Sequence, residues 1–155
     1  MASSIHQKGK YENHRQNLDL LLEVLKVMVL DDTYNAVDNP DVDFVDDGSA
    51  NDMTSHELVA TGYTGAFGGA GRHTLQNPTI TRDDAGNFVV FDADDEPWAN
   101  IGGAVNDVFA GLGLIVPKTT DADSWIVAHF NLATQPTTNG GTITVVWNAS
   151  GILRF

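Results

Sequence analysis

Four carboxylates, Asp92, Asp94, Asp95 and Glu96, fall within five residues in the stretch FDADDEPWANIGG (91–103), directly after the apolar run FVVF. Grouped acids can do two kinds of chemistry. They can offer oxygen ligands to a hard cation such as calcium, or divide into an acid and a base when their surroundings push their pKa values apart. The neighbouring Asp41, Asp43, Asp46 and Asp47 invite the calcium reading as well. Placing Gly48 on the glycine of the calcium-loop pattern, however, puts Val45 at its third position and Thr54 at its twelfth, where carboxylates are needed. In the run itself Phe88 and Val90 share one face and Val89 and Phe91 the other, so the acids read as the point where a strand covered on both sides meets solvent.

The other reactive residue types are equally sparse in pattern. The histidines His6, His14, His56, His73 and His129 form no HxH or HExxH spacing. No GxSxG elbow or GxxxxGK loop occurs, and Gly68-Gly69-Ala70-Gly71 does not follow a strand as a dinucleotide-binding turn would. There is no cysteine, which removes disulfides and thiolate metal sites. No catalytic residue, metal ligand or cofactor is expected. In SWIVAHFNL (124–132) strict alternation puts Ile126, Ala128, Phe130 and Leu132 on a core face, and Trp125, Val127 and His129 on the other. That second face is either a contact surface or the floor of another sheet of the same domain.

The elements that must carry these residues are short and β-like. Runs at 57–63, 74–82, 87–92, 105–116, 124–132, 142–147 and 152–155 follow a first strand over 23–30, with turn residues between them. Asp83-Asp84-Ala85-Gly86-Asn87 has the make-up of a hairpin turn with glycine at positive φ, and Asn148-Ala149-Ser150-Gly151 reads as a turn rather than a glycosylation site. The segment 31–53 reads as a long excursion pinned by Tyr34, Val37, Val42, Phe44 and Val45, and the five glycines of 62–71 as a flexible connection. These features predict an all-β fold, an antiparallel β-sandwich or barrel that includes jelly-roll-like arrangements, with long loops. It comprises an extended N-terminal arm (1–17) and a single β domain (18–155).

Charge narrows the partners. With 21 acidic and 8 basic residues among 155, the net charge is −13, which repels phosphate backbones and anionic lipid, so neither nucleic acid nor membrane is expected. No apolar run is long enough to span a bilayer and the N-terminus lacks the apolar core of a signal peptide, which reads as a soluble protein made inside the cell. Within residues 1–16 the balance reverses: Lys8, Lys10 and Arg15 oppose one acid, Glu12. A polar, basic arm on an acidic body is expected to order on a neighbouring subunit or partner.

The collinear succession ELVATGY (57–63), RHTLQNPTIT into DDAGNFVVFDADDEPW (72–98) and TNGGTITVVWNASGILRF (138–155), preceded by DNPDVDFVDD (38–47), resembles small virion structural proteins of tailed bacteriophages over roughly residues 23–155. The long arm and VNDVFAGLGLIVPKT (105–119) depart from that pattern. The resemblance implies a non-enzymatic capsid decoration or cement protein on the outer surface of the virion, a homotrimer bound to the major capsid protein. Lys8, Lys10, Tyr11, Arg15 and the Trp125, Val127, His129 face are the expected contacts. A tail, neck or baseplate protein is the alternative. A carbohydrate-binding module built on Trp98, Trp125 and Trp147 is a third, against which stands the tendency of strand tryptophans to be core.

Overall fold

The computed structural model describes residues 2–5, 19–34 and 42–155, the first four by their backbone. Ten strands are present among them: β1 (Ala2–Ile5), β2 (Lys26–Leu30), β3 (His73–Thr74), β4 (Thr79–Asp83), β5 (Phe88–Asp92), β6 (Glu96–Ile101), β7 (Gly111–Val116), β8 (Trp125–Asn131), β9 (Gly141–Val145) and β10 (Leu153–Arg154). They form three antiparallel sheets, ordered β1-β8-β7-β2-β3, β10-β5-β4 and β6-β9. Short strands follow from the β-branched and aromatic runs, each cut by residues suited to positive φ; Asn77, at φ 48°, splits the run read as 74–82 into β3 and β4. No helix among the described residues is long and apolar enough to cross a membrane.

The five-stranded sheet is buried on both faces, which is why β7 reads Gly-Leu-Gly-Leu-Ile-Val with no polar alternation. On one side Val27, Val29, Leu112, Leu114 and Phe130 meet Phe91 and Leu153 of the three-stranded sheet and Trp98, Ile101 and Val145 of the two-stranded one. On the other, Met28, Leu30, Ile115 and Ile126 are covered by Tyr34, Val42, Val45 and Met53 from the 31–53 excursion. The loop anchors therefore build a second core rather than resting singly on the body.

Several boundaries differ from the sequence reading. The run 57–63 contributes only a bridge, Leu30 to Glu57, and in 105–116 only β7 is a strand. Strand β6 replaces what reads as a solvated end; its Pro97 is tolerated because β6 pairs on one side only, with β9. The β4–β5 hairpin forms as expected, but Asn87 takes the positive φ while Gly86 donates to Asp83 Oδ1. Residues 2–5 pair with β8, Ala2 opposite Asn131 through Ile5 opposite Ala128. Their anchor is thus the chain's own sheet, and no neighbour is required to hold them.

The glycine-rich connection is tightly tied, not flexible. Gly71 N–H donates to Thr64 O and Gly71 O accepts from Trp98 Nε1, while at Gly65 a Cβ would press on the Glu57 carboxylate. Gly62 sits at φ +82° where a Cβ would strike the Asn100 carbonyl oxygen, a backbone atom that cannot swing aside. Gly62→Ala is expected to cost about 1–3 kcal/mol in a denaturant melt, from positive-φ strain and that clash together.

Candidate functional site at Glu96 and His73

The register of β8 decides the fate of the Trp125 face. Pairing with β7 runs Leu114 to Ala128 and then Ile115 to Ile126, so Val127 is an extra residue, a β-bulge. The bulge reverses the inward and outward parity beyond it. Val127 joins Ala128 and Phe130 in the larger core with Trp125 packed against it, whereas Ile126 lies in the second core. His129, on the side opposite Phe130, packs edge-on against Tyr34 with centroids 4.9 Å apart. The expected grouping of Trp125, Val127 and His129 on one surface is therefore corrected: Val127 is 1 % and His129 3 % exposed, and they face opposite cores. Trp125 is half-buried under Lys118, whose Nζ lies 4.3 Å from the ring centroid. Lys8, Lys10, Tyr11 and Arg15, like Asp41, lie outside the described residues.

Several of the clustered acids hold local backbone or side-chain groups, while Asp92 Oδ1 is buried without a hydrogen-bond partner. Asp46 Oδ1 accepts from Gly48 N–H, Asp47 Oδ1 from Ser49 N–H, and Asp52 Oδ1 from Ser55 N–H and the Thr54 hydroxyl. In the opening stretch Asp94 Oδ2 accepts from Asn77 Nδ2, and Asp95 Oδ1 from Trp147 N–H. Among the described residues no three metal-ligating side chains converge. Trp98 and Trp147 are core, with indole N–H groups committed to Gly71 O and Asp94 O.

Beside the His56–Thr33–Asp31 cluster, two polar constellations are launched by consecutive residues where the glycine-rich loop enters β3. Arg72 turns one way. Its Nε and one terminal nitrogen meet both oxygens of Glu57, and its two terminal nitrogens meet Asp121, all with side chains at most 12 % exposed. Tyr63 donates to Glu57 Oε1 and accepts from Val29 N–H, and Ala66 N–H donates to Glu57 Oε2. Burial works against the Arg72 charge, but the bonds to Glu57 and Asp121 outweigh it and hold its pKa above the ordinary arginine value. Burial, followed by the Glu57 charge, drives the Tyr63 phenol well above 10. Each nitrogen of the guanidinium and each carboxylate oxygen has a partner, which makes this a structural lock between the loop, β2 and the β7–β8 connection.

His73 turns the other way, stacking on Trp98 at 4.6 Å and 12° with Nδ1 3.4 Å from Glu96 Oε2. Glu96 and Trp98 share a side of β6, so the packing that buries the indole draws the carboxyl in as well. Glu96 is 3 % exposed and its Oε1 has no hydrogen-bond partner. Burial raises its pKa to about 7, with Asp94 adding to the rise and a Gln76 N–H opposing it; burial also lowers that of His73. Burial thus works against the charged form of both partners, and the contact is not a fixed salt bridge. Both line an open groove of about 440 Å³ with Thr74, Gln76 and Pro97. Such a pair can accept hydrogen bonds and exchange a proton, and Thr74 brings a hydroxyl to the groove lining. The sequence signal for it was the shared parity of Glu96 and Trp98, legible only once β6 is recognised as a strand.

The architecture defines an all-β, antiparallel protein with a doubly buried central sheet. The chain matches no protein-family model, no curated protein and no solved structure.

Proposed function

We propose that the chain is a structural protein of a tailed-phage virion, a decoration or cement subunit that binds the outer capsid surface and braces adjacent major capsid subunits. The observation that supports this most directly is the edge of β4, which no other strand among the described residues covers. Val89 exchanges backbone bonds with Phe155, and Phe91 O accepts from Ile152, so both point toward β10. By alternation Val90 then bonds Thr81, leaving Ile80 and Arg82 to present their backbone groups outward. The edge TITRD has no proline or bulge to block pairing, and the charge of its Arg82 is paired with Asp84. Beside it, the core-facing side of this sheet runs past its cover into a shelf of Ile80 (42 % exposed), Val89 and Phe155 (43 %). An extended strand of the major capsid protein fits such an edge, with backbone pairing supplying affinity and the shelf taking alternate side chains. The acidic body suits the outside of a particle, and the basic Lys8, Lys10 and Arg15, with Tyr11, supply a second point of attachment to the shell or to copies within a trimer.

The test is co-sedimentation with shells of the phage that encodes the protein. Wild type is expected to pellet with them, and cryo-imaging to show threefold clusters on the shell. Arg82→Pro removes an outward N–H without breaking the hairpin, and Ile80→Asp charges the shelf; each is expected to weaken attachment at least about tenfold with an unchanged melt. Unimpaired attachment by both variants defeats the role of the edge. A ring about the tail axis in the images replaces the capsid assignment with a tail one.

A further inference from the structure

We propose that the groove over Glu96 is a subsite for a single cationic side chain, an arginine or lysine presented by a partner protein. Its floor is a half-satisfied carboxyl: Glu96 receives the Gln76 backbone N–H and its Oε2 lies 3.4 Å from His73 Nδ1, while Oε1 is buried and unpartnered. A buried acceptor left unpaired is costly, and a donor entering the groove recovers that cost. The wall is pre-organised, because His73 is clamped flat on Trp98 and Trp98 is anchored by its own N–H to Gly71 O.

The charges facing the groove favour a cation. Asp94, before β6, adds to the negative field at Glu96. Arg72, from the entry to β3, is the one cation in the lining, and its guanidinium is spent on Glu57 and Asp121. Lys26 is level with Thr74 in the β2–β3 pairing but does not itself line the groove. The side chain of Gln76 is turned back onto Thr74 O. A guanidinium or ammonium is therefore the group this groove lacks, and a net charge of −13 steers such groups toward it. The inference relies on the docking role above only for the source of the side chain. Binding requires the carboxylate, so affinity is expected to climb about tenfold per pH unit below 7 and level off above it.

The experiment uses the isolated full chain and needs no particle, so its failure is separate from failure of the capsid assignment. The Glu96 carboxyl carbon is followed by NMR across pH with saturating acetyl-arginine amide, and in parallel with its neutral isostere acetyl-citrulline amide. The arginine probe is expected to lower the Glu96 midpoint by about one pH unit or more and to shift the His73 ring signals, and the citrulline probe to do neither. Glu96→Gln is expected to weaken arginine binding at least about tenfold. An unmoved midpoint, or equal binding by E96Q, overturns the proposal; if E96Q fails to fold, the wild-type titration decides alone.

Discussion

Arg72→Ala is expected to lower the unfolding free energy by about 3–5 kcal/mol, the largest single-residue effect anticipated in this chain. The magnitude does not come from the worth of the ion pairs, since burying three charges costs much of what their attraction returns. It comes from what stays behind. Without the guanidinium, Glu57 and Asp121 remain as carboxylates in a region where neither side chain is more than 12 % exposed. Glu57 keeps donors in Tyr63 and Ala66 but loses its counter-charge. Against a total stability of roughly 5–15 kcal/mol, a loss of this size moves the melting midpoint by about 6–20 °C. Arg72→Lys keeps the charge but cannot span two carboxylates with a planar fork, and is expected to fall between wild type and alanine. An alanine variant melting within about 2 °C of wild type shows that the network is neutral and refutes the lock.

Glu96→Gln is expected to stabilise the protein at alkaline pH and to have little effect under acid. The folded-state pKa is raised, from an ordinary 4.5 to about 7, by burial first. For an acid shifted upward, the stabilising contribution is complete below the unfolded value and is lost as pH rises through the folded one. Wild type therefore surrenders roughly 3 kcal/mol between about pH 4.5 and pH 7.5 at this site, at 1.36 kcal/mol per unit, whereas glutamine has no proton to lose. His73 acts in the opposite sense: its lowered pKa costs stability as pH falls below its ordinary value of 6.5. The difference in unfolding free energy between E96Q and wild type, measured by urea melts at several pH values, isolates the carboxyl. A difference flat with pH would show that Glu96 titrates alike in the folded and unfolded states and is not desolvated by folding.

Much of the architecture was legible because its signals are local. Alternating β-branched residues bounded by Asp, Asn and Gly sufficed for an all-β, antiparallel body, for the β4–β5 hairpin and for the Asn148–Gly151 turn, where Gly151 N–H does bond Asn148 O. Composition likewise established the acidic surface and the absence of thiol chemistry. What sequence could not give was the environment of each side chain, because burial is supplied by residues far along the chain. Strand β6 hid behind its acids and Pro97, and its partner β9 lies some 45 residues on. One extra residue in β8 reversed the parity of Trp125, Ile126 and Val127, an event set by pairing with β7 and invisible to a period-2 reading. The same reason separates Glu96 from its acidic neighbours. Asp94 and Asp95 cap other segments from the edge of the body, while the packing of Trp98 against the core pulls Glu96 inside, and only there does a carboxyl become a group that titrates near neutrality.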